Sequence, residues 1–154
     1  MSRVNVVSAA VTPRLKLNLV ASVAIRRGEV VFACRPGEIQ GERTWRTLQI
    51  DHGRHVNNQY LDYVDHSCEP NSLFDIPSLS LVAIRDIPEG EVVTFFYPGA
   101  EVELAQEFDC HCGSAHCLRQ IKGAFYLTKA QMQWALESGY CTTFMRAQLL
   151  RLLG

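Results

Sequence analysis

The chain has 154 residues, of which 47% are hydrophobic and 20% charged, so it is long enough for one domain with a buried core and too apolar for a disordered chain. Its formal net charge of -1 provides no general attraction to nucleic acid or to an anionic membrane. No apolar run approaches the ~20 residues that span a bilayer. We therefore expect no direct nucleic-acid binding and no membrane association.

The first part of the sequence predicts short strands separated by turns. Apolar, β-branched segments occupy residues 4–11, 17–25 and 29–34, and Gly28 and Pro36-Gly37 mark turns. The first segment is faintly like a signal sequence, but basic residues follow it at once and no cleavage site is evident. We interpret it as a strand.

The middle of the chain alternates polar stretches with further predicted strands. Residues 40–58 are polar, with Trp45, Leu48 and Ile50 as their apolar anchors. The elements predicted after them are a short aromatic run at 60–64, turn-forming residues at 65–71, and strands at 80–84 and 91–97.

Two helices are predicted at the C-terminal end. Thr128 suits the N-cap of a helix over residues 129–138, which Gly139 ends, and a second helix runs over roughly 143–153. The expected apolar faces are Met132, Ala135 and Leu136 on the first helix and Phe144, Ala147, Leu150 and Leu153 on the second. The whole chain is therefore predicted to be mainly β with a helical tail.

Two segments of the chain resemble each other. Residues 23–31 and 82–93 both contain Val-Ala-Ile-Arg followed by Gly-Glu-Val-Val. Each predicts a hairpin with its turn just before Gly-Glu-Val-Val. The similarity indicates either an internal repeat or the common form of any short hairpin.

Three of the six cysteines are crowded together, and their spacing indicates a metal site. Cys110, Cys112 and Cys117 form Cys-x-Cys-x4-Cys, which suits a tetrahedral thiolate site better than a disulfide. A closed zinc site needs a fourth ligand. The candidates are Cys68, His116, Cys141 and, less favoured because it lies between two ligands, His111. Such a site implies a reducing compartment, so we expect an intracellular protein, cytoplasmic or nuclear.

Three motifs, in chain order, resemble those of SET-domain lysine methyltransferases. Asp-His-Ser-Cys-Glu-Pro-Asn at 65–71 resembles the family signature Asn-His-Ser-Cys-x-Pro-Asn. Gly-Glu-Val-Val-Thr-Phe-Phe-Tyr at 90–97 resembles the family strand Gly-Glu-Glu-Leu-Thr-Phe-Asp-Tyr, and the cysteine cluster resembles the post-SET zinc motif. The similarity extends from about residue 16 to residue 121.

The resemblance implies a fold and an organisation for the chain. The fold would be the SET-domain fold, several small β-sheets around a pseudoknot. A SET domain would occupy residues 1–109, a post-SET zinc segment 110–123, and a C-terminal helical extension 124–154, all in one structural unit. The resemblance also implies that Cys68 is the fourth zinc ligand, which would tie the signature loop to the post-SET segment.

The resemblance further implies transfer of a methyl group from S-adenosylmethionine to a protein lysine amine. Tyr97 corresponds to the catalytic tyrosine of the family, Asp65 and His66 to the pair that holds the cofactor, and His111 to a position that can contact the adenine side of the cofactor. Methyl transfer requires a neutral amine aligned with the methyl group and the sulfur. Tyr60, Tyr63, Phe74 and Phe95 are candidates to line the substrate channel, and we expect at least two of them to belong to the core instead.

The chain differs from the family pattern in four motifs, and these differences leave alternatives open. They are Lys16-Leu17-Asn18 in place of Gly-x-Gly, Asp65 in place of Asn, Phe96 in place of Asp, and Arg119 in place of Gly. Three hypotheses follow: a methyltransferase acting on protein lysine, a SET scaffold acting on a small-molecule amine or other metabolite, and a non-catalytic zinc-stabilised domain that docks partners through its helices. The short polar insert between Pro36 and Asn58 slightly favours a small or permissive substrate.

Overall fold

The chain folds into a series of short strands followed by two helices. The computed structural model describes residues 2–11 and 14–154. The described strands are β1 Val4–Val11, β2 Arg14–Ala21, β3 Val30–Ala33, β4 Ile39–Gln40, β5 Leu48–Asp51, β6 Arg54–Val56, β7 Asp65–His66, β8 Ser72–Asp75, β9 Ser80–Ala83, β10 Thr94–Phe95, β11 Phe108–Asp109 and β12 Gln120–Ile121. The helices are α1 Lys129–Ser138 and α2 Thr143–Leu153. The mainly β chain with a helical tail is confirmed.

The described strands form five small sheets. β1 and β2 make a hairpin, β3-β9-β8 and β4-β6-β5 are three-stranded antiparallel sheets, and β11 pairs with β12. β7 and β10 pair in parallel, with Asp65 opposite Thr94 and His66 opposite Phe95. Within the described ranges, no helix is long and apolar enough to cross a membrane.

Several predicted strand boundaries are wrong. β2 ends at Ala21, four residues before the predicted end at residue 25. The strand predicted over 91–97 is reduced to β10, because the chain turns into a short 3₁₀ segment at Tyr97–Gly99. The polar stretch over 40–58 contains the β5–β6 hairpin, which was not predicted, and Trp45 is not an anchor, since it is 58% exposed with the Arg46 guanidinium 4.6 Å from its ring.

The two similar segments pair with each other rather than forming two separate hairpins. Ile25 and Ile87 exchange backbone hydrogen bonds of 2.9 and 2.7 Å. Gly28 N donates to Ala83 O and Gly90 N donates to Ala21 O, both at 2.8 Å, which is a reciprocal arrangement. Both glycines have φ of 88°, where a side chain would strain the backbone. Equivalent residues of the two segments therefore make equivalent backbone hydrogen bonds. The sequence similarity did not predict that the segments pair with each other.

The two helices have the predicted bounds, but the buried face of α2 is different. Thr128 Oγ1 accepts from Gln131 N, and the Gln131 side chain accepts from Thr128 N, so α1 begins with a complete capping box. α2 buries Met145 and Leu149, whereas Leu150 of the predicted face is 57% exposed. Met145 and Leu149 face α1 and the cysteine cluster. The helical spacing of apolar residues does not by itself determine which side of α2 is buried.

The buried residues form two clusters. The first lies among the strands that precede residue 100. The second combines Cys68 and Cys110 with Phe96 and with Ala135 of α1 and Leu149 of α2. The helices therefore share a core with the predicted zinc ligands, while the exact boundaries of the three predicted segments stay a prediction.

Candidate zinc centre and active site

The four predicted zinc ligands converge in space. The Sγ atoms of Cys68, Cys110, Cys112 and Cys117 all lie within 4.8 Å of one another. Four sulfurs around one zinc ion, each about 2.3 Å from the metal, would lie about 3.8 Å apart, so the thiols need only a small contraction to bind it. All four cysteines are free thiols. An all-cysteine donor set of this shape fits a closed structural zinc site.

Local backbone geometry brings the four thiols together. Cys68 follows β7, and the other three lie on the loop between β11 and β12. That loop is closed by a 2.7 Å hydrogen bond from Cys110 N to Arg119 O. Leu118 N donates to Cys68 Sγ at 3.4 Å, and Ser114 Oγ donates to Glu69 Oε1 at 2.9 Å. These contacts connect the signature loop to the cysteine loop without a metal.

The surroundings of the thiols shift their pKa values in opposite directions, and burial raises the pKa of Cys68 as well. Burial raises the pKa of Cys110 to about 12. Burial acts on Cys112 in the same direction, but backbone N–H groups of Ser114 and Cys68 and the neighbouring thiols outweigh it and lower the pKa to about 7. Zinc binds thiolates, so Cys112 is the ligand whose surroundings most favour the form that binds the metal.

The other candidate ligands lie elsewhere. His116 stacks on Trp134, with ring centroids 5.2 Å apart and an interplanar angle of 26°. Cys141 Sγ donates to Ala135 O at 3.5 Å within the helical core. His111 is exposed. The geometry therefore selects Cys68 from the candidates for the fourth ligand that spacing alone left open.

Asn71, the last residue of the signature, fixes the loop to the segment that leads into β10, just before Tyr97. Its side-chain amide donates to Val92 O at 2.8 Å and to Glu91 Oε2 at 2.9 Å. Its Oδ1 accepts from Thr94 N at 2.9 Å. Asn71 is 1% exposed, so its amide is satisfied entirely inside the protein. Asn71 belonged to the recognised motif, but no role was predicted for it.

His66 connects the cysteine cluster to the predicted catalytic residue. Tyr97 N donates to His66 Nδ1 at 3.1 Å, so Nδ1 is an acceptor and Nε2 carries the proton. Nε2 lies 3.3 Å from Cys68 Sγ and donates to it. Both ring nitrogens are thus engaged inside the protein, and a role for His66 in holding a cofactor would fall to its main chain.

Tyr97 lies at the start of the turn that follows β10. Its hydroxyl donates to Val64 O at 2.6 Å, and its ring lies 4.6 Å from that of Phe95. Burial, with smaller effects from the carboxyl groups of Asp65 and Glu101, raises the pKa of Tyr97 above its ordinary value. The hydroxyl therefore stays neutral and serves as a fixed dipole rather than a base.

A cavity of about 300 Å³ opens beside Tyr97. Asp65 and Phe95 line it, together with residues of the insert before β5 and of the segment that leads to β11. Glu101 also lines it and is 5% exposed, and burial raises the pKa of Glu101 to about 8. Of the predicted channel residues Phe95 is in this wall, whereas Phe74 is buried in the first core cluster and Tyr60 and Tyr63 pack against that cluster.

Asn18 provides a test of whether the chain fits S-adenosylmethionine. Its side chain is 4% exposed, and its Oδ1 has no hydrogen-bond partner among the described residues. Leu19 O accepts from Val93 N at 2.8 Å and Val93 O accepts from Asp65 N at 3.2 Å, so β2 and β7 flank the same segment. An unpaired amide oxygen suits an ammonium or hydroxyl group, both of which the cofactor carries. The unpaired oxygen of Asn18 therefore fits this cofactor.

Residues 16–98 match the model of the SET domain. This chain belongs to the SET domain family. The match covers the signature loop, the Asn71 contacts and Tyr97. The predicted SET-domain fold, with its small sheets and two C-terminal helices, is confirmed.

Two curated relatives illustrate the range of this SET domain's family. Methyltransferase flvH of Aspergillus flavus is 36% identical over 86 residues, which are 54% of this chain and 48% of that protein. Histone-lysine N-methyltransferase ASHH2 of Arabidopsis thaliana is 31% identical over 67 residues, 40% of this chain and 4% of that protein. The SET domain described here thus spans about half the length of the first relative and a small fraction of the second.

Among solved structures, the crystal structure of KRYPTONITE in complex with mCHG DNA and SAH has the same fold. It superposes on the SET domain with a TM-score of 0.53, at 18% sequence identity, over 77% of this chain and 29% of the other. At this identity the similarity shows the fold alone.

Besides the exposed Glu107, sequence reasoning missed two acidic residues of the cavity that are not exposed. Asp62 lies in the 3₁₀ segment Leu61–Tyr63 and Glu101 follows the turn after Tyr97. Neither belongs to a recognised motif. The one available signal was an acidic residue placed within a mainly apolar stretch, which is too common to identify a site.

Proposed function

We propose that this SET domain transfers a methyl group from S-adenosylmethionine to an amine. The observation that supports the proposal is that Asp65, from the signature motif, and Tyr97, from the strand motif, line one cavity. Two motifs that lie about 30 residues apart in the chain thus provide neighbouring walls of a space that an acceptor can enter.

S-adenosylmethionine, when bound, would supply the methyl group, whose bond to sulfur breaks as a bond to the acceptor nitrogen forms, leaving S-adenosylhomocysteine and a proton. The main chain of Asp65 and His66, the Oδ1 of Asn18 and the exposed ring of His111 are the groups that we propose hold the cofactor. The family match supports the assignments of Asp65 and His66, the resemblance of the cysteine motif supports that of His111, and the unpaired oxygen supports that of Asn18.

Tyr97 is the residue that we propose acts on the acceptor. Because its hydroxyl donates to Val64 O, its lone pairs point away from that carbonyl and can accept an N–H bond from the amine. Such a bond fixes the direction of the nitrogen lone pair. The apolar walls at Phe95 and Leu61 disfavour an ammonium ion and so favour the neutral, reactive amine.

The acceptor is either a protein lysine or a small-molecule amine. The relatives named as histone-lysine methyltransferases support the first alternative. The second is supported by the size and charge of the cavity, which are considered below.

A labelled-methyl assay with zinc-loaded protein tests the proposal. We expect transfer of label from S-adenosylmethionine to members of a pool of lysine peptides and small amines. Tyr97→Phe should lower kcat by about 10²-fold, since it removes one oriented polar group, while leaving affinity for the cofactor unchanged. Tyr126→Phe is the matched control because Tyr126 is 55% exposed and lies outside the cavity. Undiminished turnover of Tyr97→Phe would remove Tyr97 from its proposed role, and no transfer to any acceptor by protein that binds the cofactor would overturn the proposed function.

A further inference from the structure

One wall of the cavity carries a carboxylate oxygen without a partner. Asp62 Oδ1 is buried and makes no hydrogen bond with any residue that the structure describes. The other oxygen of Asp62 lies 3.7 Å from Arg46 Nη1, and the Arg46 side chain is 53% exposed. A buried carboxylate oxygen left without a donor is unfavourable, and a ligand whose N–H group reaches it would relieve that cost.

The charge of the cavity favours a cationic ligand. Apart from Glu101, whose buried carboxyl group is largely protonated near neutral pH, its acidic lining residues are Asp62, Asp65 and Glu107, and its basic lining residue is Arg46. An excess of carboxyl groups in a partly closed, low-dielectric space attracts cations and repels carboxylates. The apolar lining residues, which include Leu48, Leu61, Leu104 and Phe108, suit an aliphatic stem between two polar ends.

The neighbouring sheet edge is poorly arranged for an extended peptide. β5 is an edge strand of the β4-β6-β5 sheet, and a peptide could bind by adding a strand there. Gln49 N of β5, however, already donates to Glu101 Oε1 at 3.0 Å, and Glu101 is buried. A peptide could use this donor only by displacing Glu101, so the edge favours a ligand that stays within the cavity.

The volume of the cavity also indicates a small ligand. At about 300 Å³ it lies at the lower end of the range for ligand pockets. A short aliphatic chain with a polar group at each end fits such a space, whereas a peptide must place most of its atoms outside it.

We propose that the acceptor of this SET domain is a small free amine with a second positive charge, and that Asp62 binds the second cation. This inference rests on the proposed function, in which the first amine lies at Tyr97. Asp62 acts as a specificity residue: it selects acceptors with a distal cation and takes no part in the methyl transfer itself.

Linear α,ω-diamines and n-alkylamines of equal chain length are the probes. We expect kcat/KM for the best diamine to exceed that for its alkylamine by about tenfold or more, because one charged hydrogen bond is gained. Asp62→Asn should raise KM for diamines by about tenfold with little change in kcat, and should leave KM for alkylamines unchanged. The thermal shift that diamines induce in the wild type should be reduced in the variant.

Asp51→Asn is the matched control, since Asp51 is exposed at the end of β5 and does not line the cavity. Equal kcat/KM for diamines and alkylamines, or an equal effect of Asp62→Asn on both, would overturn the inference. Transfer to lysine peptides with a higher kcat/KM than to any diamine would overturn it while leaving the proposed function intact. No transfer to any amine would overturn both.

Discussion

At the residue scale, Glu101 is the side chain whose environment departs most from what its type predicts. Burial raises its pKa to about 8, while the Gln49 N–H and the nearby Arg43 act in the opposite direction. Near neutral pH the carboxyl group is therefore largely protonated, and it still accepts from Gln49. Glu101 thus closes the β5 edge without placing a full charge in the core.

The raised pKa of Glu101 predicts a pH dependence of stability. In the unfolded chain this group ionises near the ordinary glutamate pKa of 4.5, whereas in the folded chain it stays protonated up to about pH 8. Its contribution should therefore lower the free energy of unfolding as pH rises from about 5 to 8. Glu101→Gln should remove this loss and be more stable at pH 8 by roughly 2–4 kcal/mol. Urea unfolding at several pH values measures this difference in stability, and Glu89→Gln is the control because Glu89 is exposed. If the free energy of unfolding of Glu101→Gln depended on pH as steeply as that of the wild type, the prediction would be contradicted.

Arg119 departs from the family pattern at a position where the backbone has a conformation that favours glycine. It stands where the resemblance predicts glycine, and its φ of 69° lies in the left-handed region. An L side chain there costs about 1–2 kcal/mol, which glycine avoids.

Arg119→Gly should therefore stabilise the protein by up to about 1 kcal/mol, since the relief of strain exceeds the added flexibility of the unfolded chain. Arg119→Ala keeps the Cβ atom and should change stability little. Chemical denaturation compares the two. A loss of stability in Arg119→Gly larger than that in Arg119→Ala would show that the arginine side chain, not the backbone, determines stability at this position.

At the element scale, the turn after Tyr97 is held by the loop between the two helices. A Cβ atom on Gly99 would lie 2.1 Å from Tyr140 O, and Thr142 N donates to Gly99 O at 2.8 Å. Only glycine allows the two backbones to approach this closely. The loop between the two helices therefore contacts the turn that begins with the proposed catalytic tyrosine.

Gly99→Ala should destabilise the protein by about 3 kcal/mol, because backbone on both sides must move apart. It should also lower turnover more than cofactor affinity, since the displaced turn begins at Tyr97. Gly37→Ala is the control, as a Cβ atom there meets nothing within 4 Å and its φ is not in the left-handed region. Thermal unfolding and the labelled-methyl assay measure both effects. Equal stability and equal turnover of the two variants would show that the close approach of Gly99 to Tyr140 is not important for either.

The elements that local chemistry specifies were the ones that could be predicted. α1 was predicted at its observed bounds because Thr128 and Gly139 lie directly before and after it and act as its N-cap and C-cap. β7 and β10 could not be predicted as such, because each has two residues and exists only through pairing with a partner almost 30 residues away. Likewise the cysteine spacing predicted three zinc ligands, while Cys68 required the family signature and Glu101 had no local signal.

At the scale of the whole molecule, the cysteine cluster joins parts that are distant in the chain. Cys68 and the cysteine loop share a buried core with α1 and α2, and Trp134 of α1 contacts His116 of that loop, Phe96 and Tyr140. His66 extends the connection to the main chain of Tyr97. Zinc would therefore stabilise the helices and the active-site turn together.

Removal of zinc should lower the melting temperature by about 10 °C or more, since the ion contributes to folding and its loss leaves four thiols without a common ligand. The chain has two tryptophans, and Trp45 is exposed, so a Trp45→Phe variant reports on Trp134 alone. In that variant chelation should shift the Trp134 emission to the red, and added zinc should restore it. Complete removal of zinc with no change in either signal would contradict the shared core.

The central claim, that this SET domain binds and uses S-adenosylmethionine, is tested most directly by calorimetric titration of the zinc-loaded protein with that cofactor. The account predicts saturable binding at one site per chain, retained in Tyr97→Phe and weakened by about tenfold or more in Asn18→Ala, which removes the unpaired amide oxygen. No heat and no thermal shift at about 1 mM cofactor would contradict it.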